Sequence, residues 1–285
     1  MEQVGHLVSP PTVARLLRKL GYSLRVNAKK QEGSRAHPER QQQFAYLQTQ
    51  KDTFGTADLP IISVDTKKKE LIGNFKNAGQ TWCQHADEVN VHDFPSDALA
   101  RAVPYGIYDV SKKCGSVYVG ISADTPEFAV AAIARWWEEE GQLNYPQANQ
   151  LLILADAGGS NGYRTRSFKL YLQERVSDRY GLTVRVCHYP TGCSKWNPIE
   201  HRLFSQISLN WAGKPLRTLE TMLNFLRGTT TSTGLTVRAA LLEGTFEKGQ
   251  TVSEDQMKQL HIEQAAVCPQ WNYTLRPRVA GLSSS

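Results

Sequence analysis

Two short apolar runs end on an aspartate: Ile61-Ile62-Ser63-Val64-Asp65 and Leu151-Leu152-Ile153-Leu154-Ala155-Asp156. A glutamate follows in Lys195-Trp196-Asn197-Pro198-Ile199-Glu200, at the start of an expected helix. A carboxylate just past a buried strand is costly to desolvate unless something positive meets it. Three such acids converging on one spot would repel one another unless divalent cations lay between them. That is how a site for two metal ions and a phosphodiester is built.

Each acid also has a plainer role. A strand-end aspartate commonly accepts turn hydrogen bonds, but the pattern occurs twice, in strands expected to be neighbours. Asn197, Pro198 and Glu200 have the spacing of a capping box, in which the glutamate bonds the backbone amide of its own cap. The helix wheel points elsewhere. Ile199, Leu203, Ile207 and Trp211 form an i, i+4 stripe with Glu200 and Phe204 on one flank, which turns Glu200 toward the sheet margin.

Other groups carry weaker signals. Asp109 closes a hairpin strand and suits a turn, while Asp87, Glu88, Asp93 and Asp97 read as solvated loop acids. His188 and His201 flank the acid site and are expected to be lodged in the fold. Lys195 and Arg202 stand near enough to meet phosphate. Gly158-Gly159-Ser160-Asn161-Gly162 lets backbone and substrate approach closely, but it lacks the Gly-Lys-Ser/Thr ending of a nucleotide-binding loop. Cys187, His188, Cys193 and His201 fit no familiar zinc spacing.

The elements that must position the acids follow from periodicity and punctuation. Strands are expected at 60–65, 105–109, 116–121, 151–155 and 183–187, the second and third joined as a hairpin. Helices are expected from Thr125-Pro126-Glu127 to Gly141, from about Tyr163 to Tyr180, and from Asn197-Pro198 onward. Helical crossovers imply parallel strands and the hairpin antiparallel ones, so the expected fold is α/β with a mixed five-stranded sheet flanked by helices. The strands at 61–65 and 151–155 then lie side by side, their carboxyl ends marking a topological switch point. The order resembles that of the ribonuclease H-like fold.

Four regions are expected. Residues 1–25 hold one helix opening at Ser9-Pro10-Pro11, similar to the second helix of a helix-turn-helix and hence a partial remnant of that motif. Residues 26–58 form a basic linker and a polar helix. Residues 59–212 form the core, and residues 213–285 a small α/β C-terminal extension with a capping box at Ser253.

The chain has 285 residues and a formal net charge of +6. From Pro11 to Ala45 there are eight basic residues and two acidic ones, so this stretch accounts for the whole net charge. Arg15, Arg18, Lys19, Lys29 and Lys30 within it suit an element that follows a phosphate backbone. The five cysteines are scattered without a CxxC pair, which suits reduced thiols in the cytoplasm. No apolar run reaches membrane-spanning length.

Three stretches carry a resemblance: Ile62-Ser63-Val64-Asp65-Thr66-Lys67-Lys68-Lys69-Glu70, Leu154-Ala155-Asp156-Ala157-Gly158-Gly159-Ser160-Asn161-Gly162, and Ser194-Lys195-Trp196-Asn197-Pro198-Ile199-Glu200-His201-Arg202-Leu203-Phe204. With them the chain resembles bacterial insertion-sequence transposases of the DDE type, specifically the Rhodopirellula-type DDE family. Asn197-Pro198-Ile199-Glu200 is also similar to the third-acid motif of the Tc1/mariner-like group. The resemblance implies that Asp65, Asp156 and Glu200 are the catalytic and metal-holding acids. It implies two Mg2+ or Mn2+ ions, DNA nicking and strand transfer, and DNA partners in the form of transposon ends and target. It further implies a homo-oligomer assembled on DNA, in the bacterial cytoplasm at the nucleoid. Family members carry a longer DNA-binding region before the first helix, so the short front end bears on recognition of element ends rather than on core chemistry. The alternatives are a ribonuclease H-like nuclease without strand transfer and an inactive DNA-binding remnant.

Overall fold

The computed structural model describes residues 8–23 and 38–278, which belong to two compact units divided between Ala36 and His37. In the first, the helix Pro10–Lys19 starts behind Ser9 with prolines at its first two positions, and Arg18 and Lys19 sit in its last turn. Proline is pre-organised for that start and cations suit that end. It is the one helix among the described residues of this unit. Lys29 and Lys30 lie outside the described residues.

The second unit is built on a mixed sheet. Its strands are β1 (Ile61–Thr66), β2 (Glu70–Ile72), β3 (Ala100–Asp109), β4 (Cys114–Gly120), β5 (Gln150–Ala155), β6 (Thr183–His188), β7 (Val237–Leu241), β8 (Ile262–Gln264) and β9 (Asn272–Leu275). They run in the order β7-β4-β3-β1-β5-β6-β9-β8, with β2 on β3. The five central strands are those expected. β3 and β4 pair as an antiparallel hairpin, β1 is antiparallel to β3, and β1, β5 and β6 are mutually parallel. The sheet nevertheless has nine strands rather than five among the described residues. The segment after residue 212 adds β7 parallel to β4 at one side and β9 and β8 beyond β6 at the other, satisfying backbone groups that five strands would leave at open edges.

Alternation along the strands divides the core between the two faces. Ile62 and Val64 of β1, with Leu151 and Ile153 of β5, pack against Phe128, Ile133, Trp136 and Phe168 from the helical segments 126–144 and 166–180. Thr125 caps the first of these by accepting the Phe128 N–H at 3.2 Å. That segment runs through Gly141, the expected stop, as a π turn, Trp137–Gly141. Gly181, at φ 67°, ends the second. On the opposite face Ile199, Leu203, Ile207 and Trp211 are buried, as their i, i+4 spacing requires. There too the helix Arg40–Thr56 buries Gln43, Leu47, Gln50 and Phe54. Its Gln43 amide donates to the His188 carbonyl and to Asn272 Oδ1, each at 2.8 Å, so a helix that reads as polar is docked on the sheet.

Candidate active site

Parallel pairing of Ile61–Val64 with Leu152–Ala155 brings the carboxyl ends of β1 and β5 together. Asp65 and Asp156 consequently line one cleft of about 310 Å3, with Ala157, Gly158, Gly159, Pro190, Thr191, Gly192 and Ser194. Asp65 faces away from the Ile62/Val64 side of β1, toward the helical segment 198–210. That segment begins with Glu200 inside a π turn, Glu200–Phe204, a distortion found frequently at functional sites.

The electrostatics show how close the acids are. Asp65 is pushed up to about 8, first by burial and then by the charge of Asp156, with Glu200 and Asp124 adding to it, and the Thr66 N–H opposing at 2.7 Å. Asp156 is also raised, by burial and then against the Asn197 hydrogen bond, with Glu200 adding its charge. Glu200 therefore stands within electrostatic reach of both aspartates. It does not line the cleft, and among the described residues no three His, Cys, Asp or Glu side chains close on a single ion-sized point. The structure brings Asp65 and Asp156 together and leaves Glu200 at their edge.

The capping box whose spacing Asn197 and Glu200 share is not formed. The Asn197 N–H donates instead to the Ser194 carbonyl at 2.8 Å. Its side chain, fully buried, donates from Nδ2 to Asp156 Oδ1 at 2.9 Å and accepts from Ser63 at Oδ1. Glu200 is thereby released from a capping role.

Beyond the cleft, Asp109 accepts the Ser111 and Lys112 N–H groups at 3.0 and 2.9 Å, the expected turn role. His188 is buried, with its two ring nitrogens on the Trp271 and Asn161 carbonyls at 2.9 and 2.8 Å, which braces the turn after Asp156. His201 is not lodged in the fold. It is exposed, with its ring on the Lys195 carbonyl. Arg202 is also exposed, beside a separate cleft with Tyr108, Lys113 and Gln206. Arg15, Arg18 and Lys19 lie exposed on the first helix. The five cysteines are free thiols.

Sequence reasoning missed two contributors. Asp124 accepts from Thr66 Oγ1 at 3.1 Å and lies 3.9 Å from the Lys69 ammonium; it ends no apolar run, so nothing local marks it. Ser63 is a fully buried hydroxyl in an apolar strand. That is a readable signal, because a buried hydroxyl needs a partner.

All three acids offer hard oxygen donors and none forms an ion pair with a lysine or arginine among the described residues. Such an oxygen-only donor set, half-withdrawn from water, fits a hard divalent cation rather than a softer ion. The central strand order is the one expected of a ribonuclease H-like core. The sequence matches the family described as the Rhodopirellula transposase DDE domain over residues 1–277, and the chain belongs to that family. No curated protein matches it.

Similar solved structures include a Mos1 transposase paired-end complex with the left transposon end, at 13% identity and TM-score 0.47, covering 77% of this chain and 62% of that one. A Mos1 mariner paired-end complex with Mn has 15% identity and TM-score 0.46, covering the same shares. The chain thus spans about 62% of the length of these transposases.

Proposed function

We propose that this protein is a DNA transposase whose core cleaves and joins phosphodiesters at the cleft between β1 and β5. The observation that carries the reading is Asp65. It is a carboxyl pushed up to about 8 by burial and by neighbouring acids, at the end of β1, where the resemblance in sequence implies the first acid. An unpaired acid cluster of this kind is unfavourable by itself and becomes favourable when cations enter.

Asp65, Asp156 and Glu200 would hold two divalent ions. When bound, such ions polarise the phosphoryl group and stabilise the attacking and departing oxygens. The chain's own residues supply the frame. The Thr66 N–H fixes one Asp65 oxygen and Asn197 fixes one Asp156 oxygen. Gly158 and Gly159 form part of the cleft wall, and a Cβ on either would meet only open space. Gly159 is needed for its φ of 74°, a conformation that side chains resist. A phosphate backbone can therefore lie against bare main chain there. Arg15, Arg18, Lys19, Lys29, Lys30, Lys195 and Arg202 are the cations proposed to follow DNA, with element ends and target as partners and a homo-oligomer as the assembled form. No helix among the described residues is long and apolar enough to cross a membrane.

Replacing Asp156 with Asn tests the reading. Asparagine keeps the shape and removes the charge that holds a hard cation. Mg2+-dependent nicking of element-end DNA should fall by at least about a hundredfold, while DNA binding and thermal unfolding in chelator stay near parental. Nicking at the parental rate would remove Asp156 from the site. A large loss of stability in chelator would make it a structural turn residue.

A further inference from the structure

The three acids of the site belong to three separate elements, and one buried run of hydrogen bonds joins all three. The Ile199 N–H, next to Glu200, donates to Ser63 Oγ at 3.1 Å. Ser63 lies on β1 two residues before Asp65, and its hydroxyl donates to Asn197 Oδ1. Asn197 Nδ2 donates to Asp156 Oδ1 at 2.9 Å, just past β5, with the Val64 carbonyl 3.5 Å away. Ser63 and Asn197 are fully buried.

The direction of this run is fixed from both ends. In the ionised form in which it would hold a cation, Asp156 only accepts and so faces the amide NH2 of Asn197. That leaves Oδ1 toward Ser63, whose oxygen is engaged by Ile199 and whose proton goes to Asn197. Turning the amide over would set its oxygen against the Asp156 carboxylate. Buried networks that are fully satisfied in one arrangement hold their members rigidly.

We propose that Asn197, oriented by Ser63, is a positioning residue that holds Asp156 and the starts of the Glu200 helix and the Asp65 strand end in the spacing needed to bind divalent metal. This rests on reading the cleft as a metal site. The bond engages Asp156 at Oδ1, while Asp156 also lines the cleft. It acts as the hydrogen bonds behind metal ligands do, where losing the outer partner costs about 10–100-fold in metal affinity or activity.

The test is an Mn2+ titration of the DNA-free protein followed by electron paramagnetic resonance, with nicking kinetics alongside. Asn197→Ala and Ser63→Ala should each weaken Mn2+ binding, the first by about tenfold or more and the second by about threefold or more. Both should lower kcat for nicking with KM for DNA within about twofold of parental. The double variant should lose less than the product of the two single losses, since both act through one run of bonds. If Asn197→Ala does not fold, the proposal stands or falls on Ser63→Ala, which removes only a hydroxyl. Parental Mn2+ affinity in a folded Asn197→Ala protein, or in Ser63→Ala, would overturn it. Asp156→Asn in the same titration separates the two levels. If Asp156→Asn loses Mn2+ and the Asn197 and Ser63 variants do not, only the positioning role fails. If the parental protein binds no Mn2+, the metal-site reading fails and takes the proposal with it.

Discussion

Asp65 sits with Asp156, Glu200 and Asp124 acting on it, and one backbone N–H opposing them. Its folded value, about 8, lies above the ordinary 3.8. As pH rises the unfolded chain therefore gives up this proton first. With fewer protons bound in the unfolded state, metal-free stability falls between about pH 4 and pH 8. Asp65→Asn removes that loss, and its Oδ1 can still accept the Thr66 N–H. In chelator at pH 8 the variant should melt a few degrees above the parental protein, at roughly 2–4 °C per kcal/mol, with the gain shrinking toward pH 4. A gain independent of pH would show that Asp65 is not held in this way. The three acids stood out in the sequence as candidates, Asp65 and Asp156 because each closes an apolar run and Glu200 because it opens a patterned helix. The task of Asn197 was not. An asparagine before Pro198 has the spacing of a cap, and only the arrival of β5 beside β1 offers it Asp156 instead.

At the scale of elements, the helix bearing Glu200 can reach the strand ends because β3 is bare beneath it. Gly106 pairs with Asp65 across β1 and β3, and a Cβ there would overlap the Phe204 ring and come within 2.9 Å of Ile199 Cδ1. Gly115 on β4 is under the same constraint, with Leu203 Cδ1 at 2.5 Å from a Cβ. Gly106→Ala must lift this helix or bend it, as overpacked cores do at a cost of about 1–3 kcal/mol. Denaturant unfolding should register that loss, and nicking should fall further than stability alone explains because Glu200 moves with the helix. Unchanged unfolding and nicking would mean that the helix is free to shift without consequence for the site. The five central strands could be read from apolar runs bounded by turns. β7, β8 and β9 could not, since they are short and pair with strands distant in sequence. The buried glutamines of the helix Arg40–Thr56 were equally hidden, because Gln43 depends on Asn272 and the His188 carbonyl as partners and Gln50 on Arg185.

For the whole molecule, charge and chemistry are divided along the chain. The net positive charge is concentrated toward the front, while the acids gather at one end of a sheet whose strands come from residues 61 to 275. The division along the chain suits a protein proposed to hold a polyanion with one stretch and cut it with another. Fold class was readable because the alternation of strands and helices leaves few topologies. The edges of the sheet were not, because no local pattern reveals which distant strand will cover an edge. The claim that joins every level is that three acids far apart in sequence form one divalent-metal site. It is tested most directly by loading the protein with Fe2+ in place of Mg2+ and mapping peptide-bond cleavage by ascorbate and peroxide. Cuts clustered near residues 65, 156 and 200, and suppressed by excess Mg2+, are the expected result; cuts elsewhere, or cuts at these positions that Mg2+ does not suppress, would contradict it.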